Sequence, residues 1–481
     1  MKLQWRDFLH LYISIPLLAI ALLMPSNVTG LAVAAIFALY AFAFPKNGLL
    51  LLLLYFPTRP FLIEMNPSLK IVGDLIILAA FARVIFTHLK NKEIKEIFRF
   101  HIFEWAFLLF CAVGALSAFI TGVSISAIVF QLRAFVITYL IYYVVKRLDI
   151  TKKDIGKFLW TTFIVAITIC IHGIVEKLSI RTVLMPEKWV QRSLSHNNRV
   201  RIYGLIDNPN VLAVYLTIAF VCTLYLKQFI VGKMNWLINI GLVLMFGVIT
   251  LTYSRGTWIG FAVGLVVYIL LTRNWKNLKR IALAVITAVI FINLPVATLA
   301  SHLATTIKTP SPNYTDENTP NKDGTDRIKD TFNEDTLELS KTTGRLFIVS
   351  KGFEIFKDHP VIGTGFATYG DSAAKGYSSP IYKEYGIEHD IYSDNQYIQI
   401  IVQTGAIGVL LFAVFLLGML FFAWKKREDN PIAILVVSLL AGVFVCGVLY
   451  NIWEDKTYTM YFFLLLAAIT KVVDLKRTNT I

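Results

Sequence analysis

Four polar residues, Ser393 to Gln396, stand directly before an apolar run that is long enough to cross a bilayer. In SDNQYIQIIVQTGAIGVLLFAVFLLGMLFFAW, Asp394 carries a carboxyl group whose ordinary pKa is about 4. Such a group is ionised at neutral pH and can accept the proton of a hydroxyl group. The sequence therefore predicts a helix cap formed by Ser393 or Asp394, and a proton acceptor at the mouth of a membrane helix.

Three glutamines follow on the same predicted helix. Gln396, Gln399 and Gln403 are spaced at i, i+3 and i+7, so they share one helix face. Polar groups at membrane depth are costly and usually face a partner or a wet cavity. We expect the upper turns of this helix to line a wet cavity within a bundle, where Asn395, Gln396 and Gln399 contact substrate.

Arginines occur where a membrane protein usually excludes them. Arg255 lies between two apolar segments in TYSRGTWIGF, Arg345 lies in a long polar segment, and Arg201 begins RIYGLIDNPNVLA. The planar guanidinium group binds phosphate oxygens in pairs. Two or three such arginines on one face could clamp a pyrophosphate, so the set predicts a site for a phosphorylated ligand.

Two further charges lie inside apolar stretches. Arg133 stands in IVFQLRAFVITYL and Asp74 in IVGDLII. A charge within a span costs roughly 3 kcal/mol or more, so it usually pairs with another group or faces a wet cavity. Two interpretations stay open: mutual or local pairing of these charges, or a substrate contact made by Arg133.

The composition of the 481-residue chain indicates a membrane protein. Hydrophobic residues make up 56% and charged residues 16%, against roughly 25% charged in soluble domains, and the mean hydropathy is +0.64. The net charge of +15 does not indicate nucleic acid, because lysine and arginine collect in cytoplasmic loops of such proteins. We expect an all-α polytopic membrane protein of about 12–14 transmembrane helices, with the lipid bilayer as a partner.

The apolar windows predict a topology. The third window, which contains YFPTRPF, is expected to be kinked or re-entrant at Pro57 and Pro60. With about fourteen spans and a cytoplasmic N-terminus, every basic cluster falls on the cytoplasmic side. This predicts a multi-pass protein of the cytoplasmic membrane with both termini inside. The basic clusters lie at residues 2–6, 88–100, 146–157, 227–233, 273–280, 424–428 and 476–477.

The same topology divides the chain into three parts. These are an N-terminal helical bundle over 1–300, a large extracytoplasmic loop over 301–395, and C-terminal transmembrane helices over 396–481. The first part of the loop, TPSPNYTDENTPNKDGTD, has a composition typical of a disordered spacer. From about Thr342 to Lys357, apolar residues recur among polar ones, which predicts an amphipathic helix on the membrane or on the bundle.

Other motifs give weaker signals. The glycines of HPVIGTGFATYG follow a predicted helix and lack the lysine of a nucleotide-binding loop, so we expect them to let the loop turn tightly back toward the membrane. The histidines predicted outside the membrane, His196, His359 and His389, show no metal-ligand spacing. No metal or other cofactor is therefore expected.

The motifs between about Arg201 and Phe412 resemble, in their order, the O-antigen ligase/polymerase superfamily of bacterial membrane glycosyltransferases. The resemblance implies a GT-C-like helical bundle. It also implies transfer of a glycan from a polyprenyl-diphosphate carrier to a glycan or glycolipid acceptor at the outer face of the cytoplasmic membrane, without nucleotide sugar or metal. The four motifs are RIYGLIDNPNVLA, TYSRGTWIGF, GRLFIVSKGFEIFKDHPVIGTGFATYG and SDNQYIQIIVQTGAIGVLLF.

The resemblance carries roles to individual positions. Arg255 is similar to the arginine after the serine in the family's outer-face motif, and Arg345 to the loop arginine before the His-Pro and paired-glycine stretch. Both would bind the donor's phosphates. The family usually has histidine at the position of Asp394, as the candidate base for the acceptor hydroxyl. This chain has aspartate there, with His389 as the alternative base.

We therefore expect a membrane glycosyltransferase that polymerises or ligates a cell-surface polysaccharide from a polyprenyl-diphosphate-linked oligosaccharide. Aspartate in place of histidine, together with lysine-rich loops, favours a polymerase of the teichuronic acid or capsular type. The alternative is a flippase or other secondary transporter. A transporter should carry its charged residues near the bilayer midplane, often in paired broken helices.

Overall fold

The computed structural model describes residues 5–226, 235–306 and 344–471, and over these ranges its regular structure is helical, without a β-strand. The predicted disordered spacer and the basic clusters at 227–233 and 476–477 lie outside the described residues. The helices of thirteen or more residues are α1 Leu9–Leu23, α2 Asn27–Ala43, α3 Pro45–Met65, α4 Val72–Lys90, α5 Ile102–Ile120, α6 Ile125–Arg147, α7 Lys152–Leu178, α8 Pro209–Leu226, α9 Asn235–Leu251, α10 Arg255–Thr272, α11 Trp275–Ala288, α12 Leu294–Thr306, α13 Arg345–Asp358, α14 Gln396–Lys426, α15 Pro431–Cys446 and α16 Lys456–Ala468.

Eight helices of the described ranges are long and apolar enough to cross a membrane. They are α3, α5, α6, α7, α8, α10, α14 and the stretch Trp275–Ala304, in which the π-helical turn Val289–Asn293 joins α11 to α12. Four shorter apolar helices, α1, α2, α9 and α15, accompany them. The all-α polytopic fold is confirmed, while the expected number of about 12–14 spans stays a prediction.

The third apolar window forms one helix. α3 continues for 21 residues through Pro57 and Pro60. Pro45 stands at its first turn, where the missing N–H of proline has no helical partner to lose. The re-entrant alternative for this window is therefore wrong.

The chain forms two compact units. The first consists of the described residues within 1–86, 147–258 and 269–328, and the second of those within 87–146, 259–268 and 329–481. In the first unit, α8 is apolar on all sides and buries most of its length, as expected of a central helix. α9 approaches α7 closely at Gly241, where a Cβ atom would lie 2.4 Å from the Phe163 ring.

In the second unit, α14 packs along α5 through aromatic side chains. The ring centroids of Phe107 and Phe415 lie 4.9 Å apart, and those of Phe110 and Phe412 lie 5.1 Å apart. At Gly418 the helices approach so closely that a Cβ atom would lie 2.6 Å from that of Phe103. Aromatic burial of this kind supplies both packing area and a defined geometry.

The predicted amphipathic helix is present as α13. Its inner face consists of Ile348, Gly352 and Ile355, and a Cβ atom at Gly352 would lie 2.4 Å from Ile398 of α14. Leu346 and Phe353 remain exposed. The prediction placed its start near Thr342, which lies outside the described residues, and the described helix begins at Arg345.

Candidate functional site

The polar phrase before α14 forms a turn and a helix cap in the second unit. The cap is Asn395, whose side-chain oxygen accepts hydrogen bonds from the backbone N–H groups of Tyr397 and Ile398, both at 3.1 Å. The predicted cap at Ser393 or Asp394 is therefore wrong by one or two positions. Asp394 has a φ of +45°, so the chain turns there before the helix begins. Its side chain is half-buried.

The predicted glutamine stripe is buried and does not line an open cavity. Gln396, Gln399 and Gln403 each have 0% exposed surface. Gln396 donates to Gln399 at 3.0 Å, Gln399 donates to the Glu454 carboxylate, and Gln403 donates to the Asp371 carboxylate at 2.6 Å. The stripe thus forms a hydrogen-bonded ladder between two buried acids. This ladder gives the glutamine side chains hydrogen-bond partners, which lipid could not provide.

Neither acid was predicted from the sequence. Glu454 also accepts hydrogen bonds from Gln131 at 2.7 Å and from the Ser372 hydroxyl at 3.1 Å. Asp371 accepts backbone hydrogen bonds from Ala367 and Ala374. Burial raises the pKa of both carboxyl groups, and the nearby Asp371 charge raises that of Glu454 further.

We expect the protein to resist unfolding better as the pH falls. Burial raises the pKa of Glu454 to about 7, whereas the pKa of this group in an unfolded chain is about 4.3. The folded state therefore holds a proton that the unfolded chain releases, so this stabilisation is complete below about pH 4 and is lost as the pH rises through about 7. Thermal unfolding in detergent across this range measures the effect. Glu454→Gln should reduce the pH dependence without abolishing it, because burial also raises the pKa of Asp371, and Glu428→Gln, at an exposed acid, should leave it unchanged. An unchanged slope in Glu454→Gln would contradict the assignment.

α14 is broken at Gly405, where φ is +59° and ψ is −165°. The segment Pro360–Gly365 satisfies the backbone groups that the break exposes. Ala406 N–H donates to the Pro360 carbonyl at 2.8 Å, and Gly365 N–H donates to the Gln403 carbonyl at 2.7 Å. Irregular backbone in a membrane helix is tolerated where protein supplies such partners. The glycines of HPVIGTG therefore let this segment insert into the broken helix.

Gly365→Ala should be severely destabilising. Gly365 has a φ of +94°, and a Cβ atom there would lie 1.9 Å from the backbone nitrogen of Ala118 in α5. Neither the left-handed conformation nor the contact admits a side chain, so we expect a loss of about 3 kcal/mol or more. The yield of monodisperse protein and its unfolding temperature measure this loss. Gly376→Ala is the control because, beyond its chain neighbours and the backbone of its own helix, no atom lies within 4 Å of its Cβ position. A wild-type unfolding temperature for Gly365→Ala would contradict the insertion.

Arg345 is the first residue of α13 and is exposed. One of its terminal nitrogens donates to the Leu449 carbonyl at 3.4 Å, a long hydrogen bond. Most of the donor capacity of this guanidinium group is therefore available to a ligand. Its expected role on the donor's phosphates stays a prediction.

His389 is exposed on a loop of the second unit. It lines an open cavity of about 440 Å³, to which Tyr382, Lys383 and Asp390 also contribute. Asp394 is not among the lining residues. The structure thus gives the two candidate bases different surroundings, and Asp394 is the one joined to the turn before α14.

Arg201 and Arg255 belong to the first unit. Arg201 is 8% exposed, and its guanidinium group donates to the Thr252 carbonyl at 2.8 Å, to the Ser254 hydroxyl at 3.2 Å and to Asn210. These contacts hold the turn that leads into α10, which begins at Arg255. Arg255 is half-buried. The structure therefore gives Arg201 a role in fixing the backbone beside Arg255, while its predicted substrate contact stays a prediction.

Arg133 lies half-buried on α6, two residues after the Gln131 that donates to Glu454. Its role as a substrate contact also stays a prediction. In the part of the chain that the structure describes, no cluster of three or more histidine, cysteine, aspartate or glutamate side chains could hold a metal ion.

A family model described as O-Antigen ligase matches residues 240–413, a segment that contains Arg255, Arg345 and Asp394 and ends before Glu454. The resemblance to the O-antigen ligase/polymerase superfamily is thereby confirmed. No curated protein matches the chain.

Proposed function

We propose that the chain, of which residues 240–413 match a family model described as O-Antigen ligase, transfers a glycan from a polyprenyl-diphosphate-linked oligosaccharide to a glycan or glycolipid acceptor at the outer face of the cytoplasmic membrane. The family match supports glycosyltransferase activity of this general type. The donor, the outer-face site and independence from metal are our proposals.

The observation that carries the proposal is the turn at Asp394. It places a half-buried carboxylate at the mouth of α14, within the family segment and in the same unit as Arg345. The Asn395 cap anchors this backbone turn. The glutamine ladder anchors the first helical turns of α14, which follow it. A carboxylate held on such a support is suited to act as a general base.

The proposed reaction uses three side chains. Asp394 accepts the proton of the acceptor hydroxyl, whose oxygen forms a bond to the anomeric carbon of the donor. The bond from that carbon to the diphosphate breaks, and the diphosphate leaves with the electron pair. Arg255 and Arg345 stabilise the charge that develops on its phosphate oxygens. Asp394 faces the acceptor, because a carboxylate beside the donor phosphates would repel them.

We further propose that the product is a polymer, of the teichuronic acid or capsular type. Ligases and polymerases of the superfamily share the motifs on which the resemblance rests, so the length of the product separates them. Repeated transfer onto a growing chain gives a ladder of lengths, whereas a ligase gives a single transfer to a separate acceptor.

A flippase or other secondary transporter is the second candidate. The break in α14 at Gly405 and the buried acids Asp371 and Glu454 are features that such proteins also use. The family match favours the enzyme.

The two functions differ in a reconstituted assay. Purified protein in liposomes would receive a fluorescent lipid-diphosphate oligosaccharide, without nucleotide. Gels would follow product length, and a membrane-impermeant quencher would follow movement of the donor across the bilayer. A ladder of products supports the polymerase, and one discrete product supports the ligase. Movement of the donor across the bilayer without any new glycosidic bond would contradict the proposed enzyme activity and support a transporter.

A further inference from the structure

Asn451 lies in the connection between α15 and α16, beyond the segment that the family model matches. It is 3% exposed. Its side-chain oxygen accepts a hydrogen bond from the Ser393 hydroxyl at 2.8 Å and another from the backbone N–H of Asn395 at 3.0 Å. Its side-chain nitrogen donates to the Gly370 carbonyl at 2.9 Å. All three contacts join parts of the chain that are distant in sequence.

These contacts hold the residues on both sides of Asp394. The backbone N–H of Ser393 donates to the same Gly370 carbonyl at 2.9 Å, so Gly370 and Asn451 fix the chain immediately before the turn. Asp394 itself has a φ of +45°. A left-handed residue other than glycine costs of order 1–3 kcal/mol and persists only where its surroundings determine it. Asn451 bonds to the residues on both sides of this turn.

The rest of the connection supports the same group of side chains. The Gly447 carbonyl accepts from Gln396 N–H at 2.8 Å, and Trp453 N–H donates to the Gln396 side chain at 2.9 Å. The Leu449 carbonyl accepts from Arg345 at 3.4 Å. One short segment therefore contacts the turn, the glutamine ladder and an arginine proposed to bind phosphate.

We propose that Asn451 is a positioning residue for the transfer reaction: it fixes the Asp394 turn so that the carboxylate meets the acceptor hydroxyl. This inference rests on the proposed function of Asp394. Asn451 does not contact the reacting atoms. It acts through Ser393 and Asn395. Its removal leaves the Asp394 side chain present but loosens the backbone that orients this side chain. Because misplacement by about 1 Å can cost about 100-fold in rate, the effect should fall on kcat.

Three variants test the inference. Asn451→Leu keeps the branching of the side chain and removes all three hydrogen bonds, and kcat should fall about 100-fold with little change in the KM of the donor. Asn451→Asp keeps an oxygen that can accept from Ser393 and Asn395, and it should retain more activity than Asn451→Leu. Asn430→Leu is the matched control, because Asn430 is a buried asparagine that caps the start of α15. It should lower the unfolding temperature with kcat per folded molecule unchanged.

Hydrogen exchange separates this inference from the proposed function. In Asn451→Leu, the amides of residues 393–398 should exchange faster than in the wild type, whether or not the protein turns over. If the wild type is inactive with every donor and exchange is still faster in Asn451→Leu, Asn451 fixes the turn but has no role in catalysis. Unchanged exchange and unchanged kcat in Asn451→Leu, with an active wild type, would overturn the inference alone.

Discussion

Asp394→Asn is expected to reduce glycan transfer by about 100- to 10,000-fold, the range that a general base contributes. Asparagine has nearly the shape of aspartate and is among the residues that best tolerate a positive φ, so the turn at +45° should persist. The negative charge of the carboxylate and its ability to accept a proton are lost. Turnover of a lipid-diphosphate oligosaccharide, followed as product formed per minute, measures the loss.

Asp394→His sharpens the same test. Histidine is the residue that the family usually has at this position, and it also tolerates a left-handed backbone. We expect this variant to retain much more activity than Asp394→Asn. His389→Ala is the companion variant on the exposed loop, and it should leave turnover near the wild-type value. Full activity in Asp394→Asn, with activity lost in His389→Ala, would transfer the role of base to His389.

Arg255→Ala and Arg345→Ala should each lower kcat/KM for the donor by about 100- to 1,000-fold, the loss typical when a charge-stabilising group is removed. Arg345 is exposed and makes one long hydrogen bond within the protein, so its loss should not unfold the second unit. Arg345→Lys should recover only part of the activity, because an ammonium group cannot bind two phosphate oxygens as a planar fork does.

Controls for the arginines come from the same units. Arg427 pairs with Glu428 at the surface of the second unit, and Arg280 bonds to Asn277 in the first. Alanine at either position removes one positive charge and should leave turnover unchanged. Arg201→Ala should act differently, because Arg201 is buried in contacts to Thr252 and Ser254. We expect that variant to lose thermal stability along with activity. Wild-type turnover in both Arg255→Ala and Arg345→Ala would contradict phosphate binding by these residues.

Local sequence patterns predicted the helices and the glutamine stripe but not the partners of that stripe. Spacing along the chain shows that Gln396, Gln399 and Gln403 share a face. It does not show that Gln399 bonds to Glu454, which comes 55 positions later. Spacing also does not show whether the polar partner is water or protein, which is why a wet cavity was expected. Polar residues at membrane depth indicate a polar partner, and here that partner is buried protein.

The cap and the helix break were missed for related reasons. Ser393, Asp394 and Asn395 are all good capping residues, so sequence alone does not choose among them. The choice follows from Asn451, which bonds to Ser393 and to the Asn395 backbone from outside the local stretch. A glycine within an apolar run is usually tolerated in a continuous helix. Gly405 breaks α14 because Pro360–Gly365 supplies the replacement hydrogen bonds.

The most direct test of the central claim is release of the lipid diphosphate from the donor. Purified protein in nanodiscs would receive a polyprenyl-diphosphate oligosaccharide and a glycan acceptor, with a chelator present and nucleotide absent. Mass spectrometry would count free lipid diphosphate and new glycosidic bonds. We predict that both appear in equal amounts in the wild type and that both are lost in Asp394→Asn. Absence of release with every donor and acceptor, from a protein that is folded and monodisperse, would contradict the assignment as a glycosyltransferase.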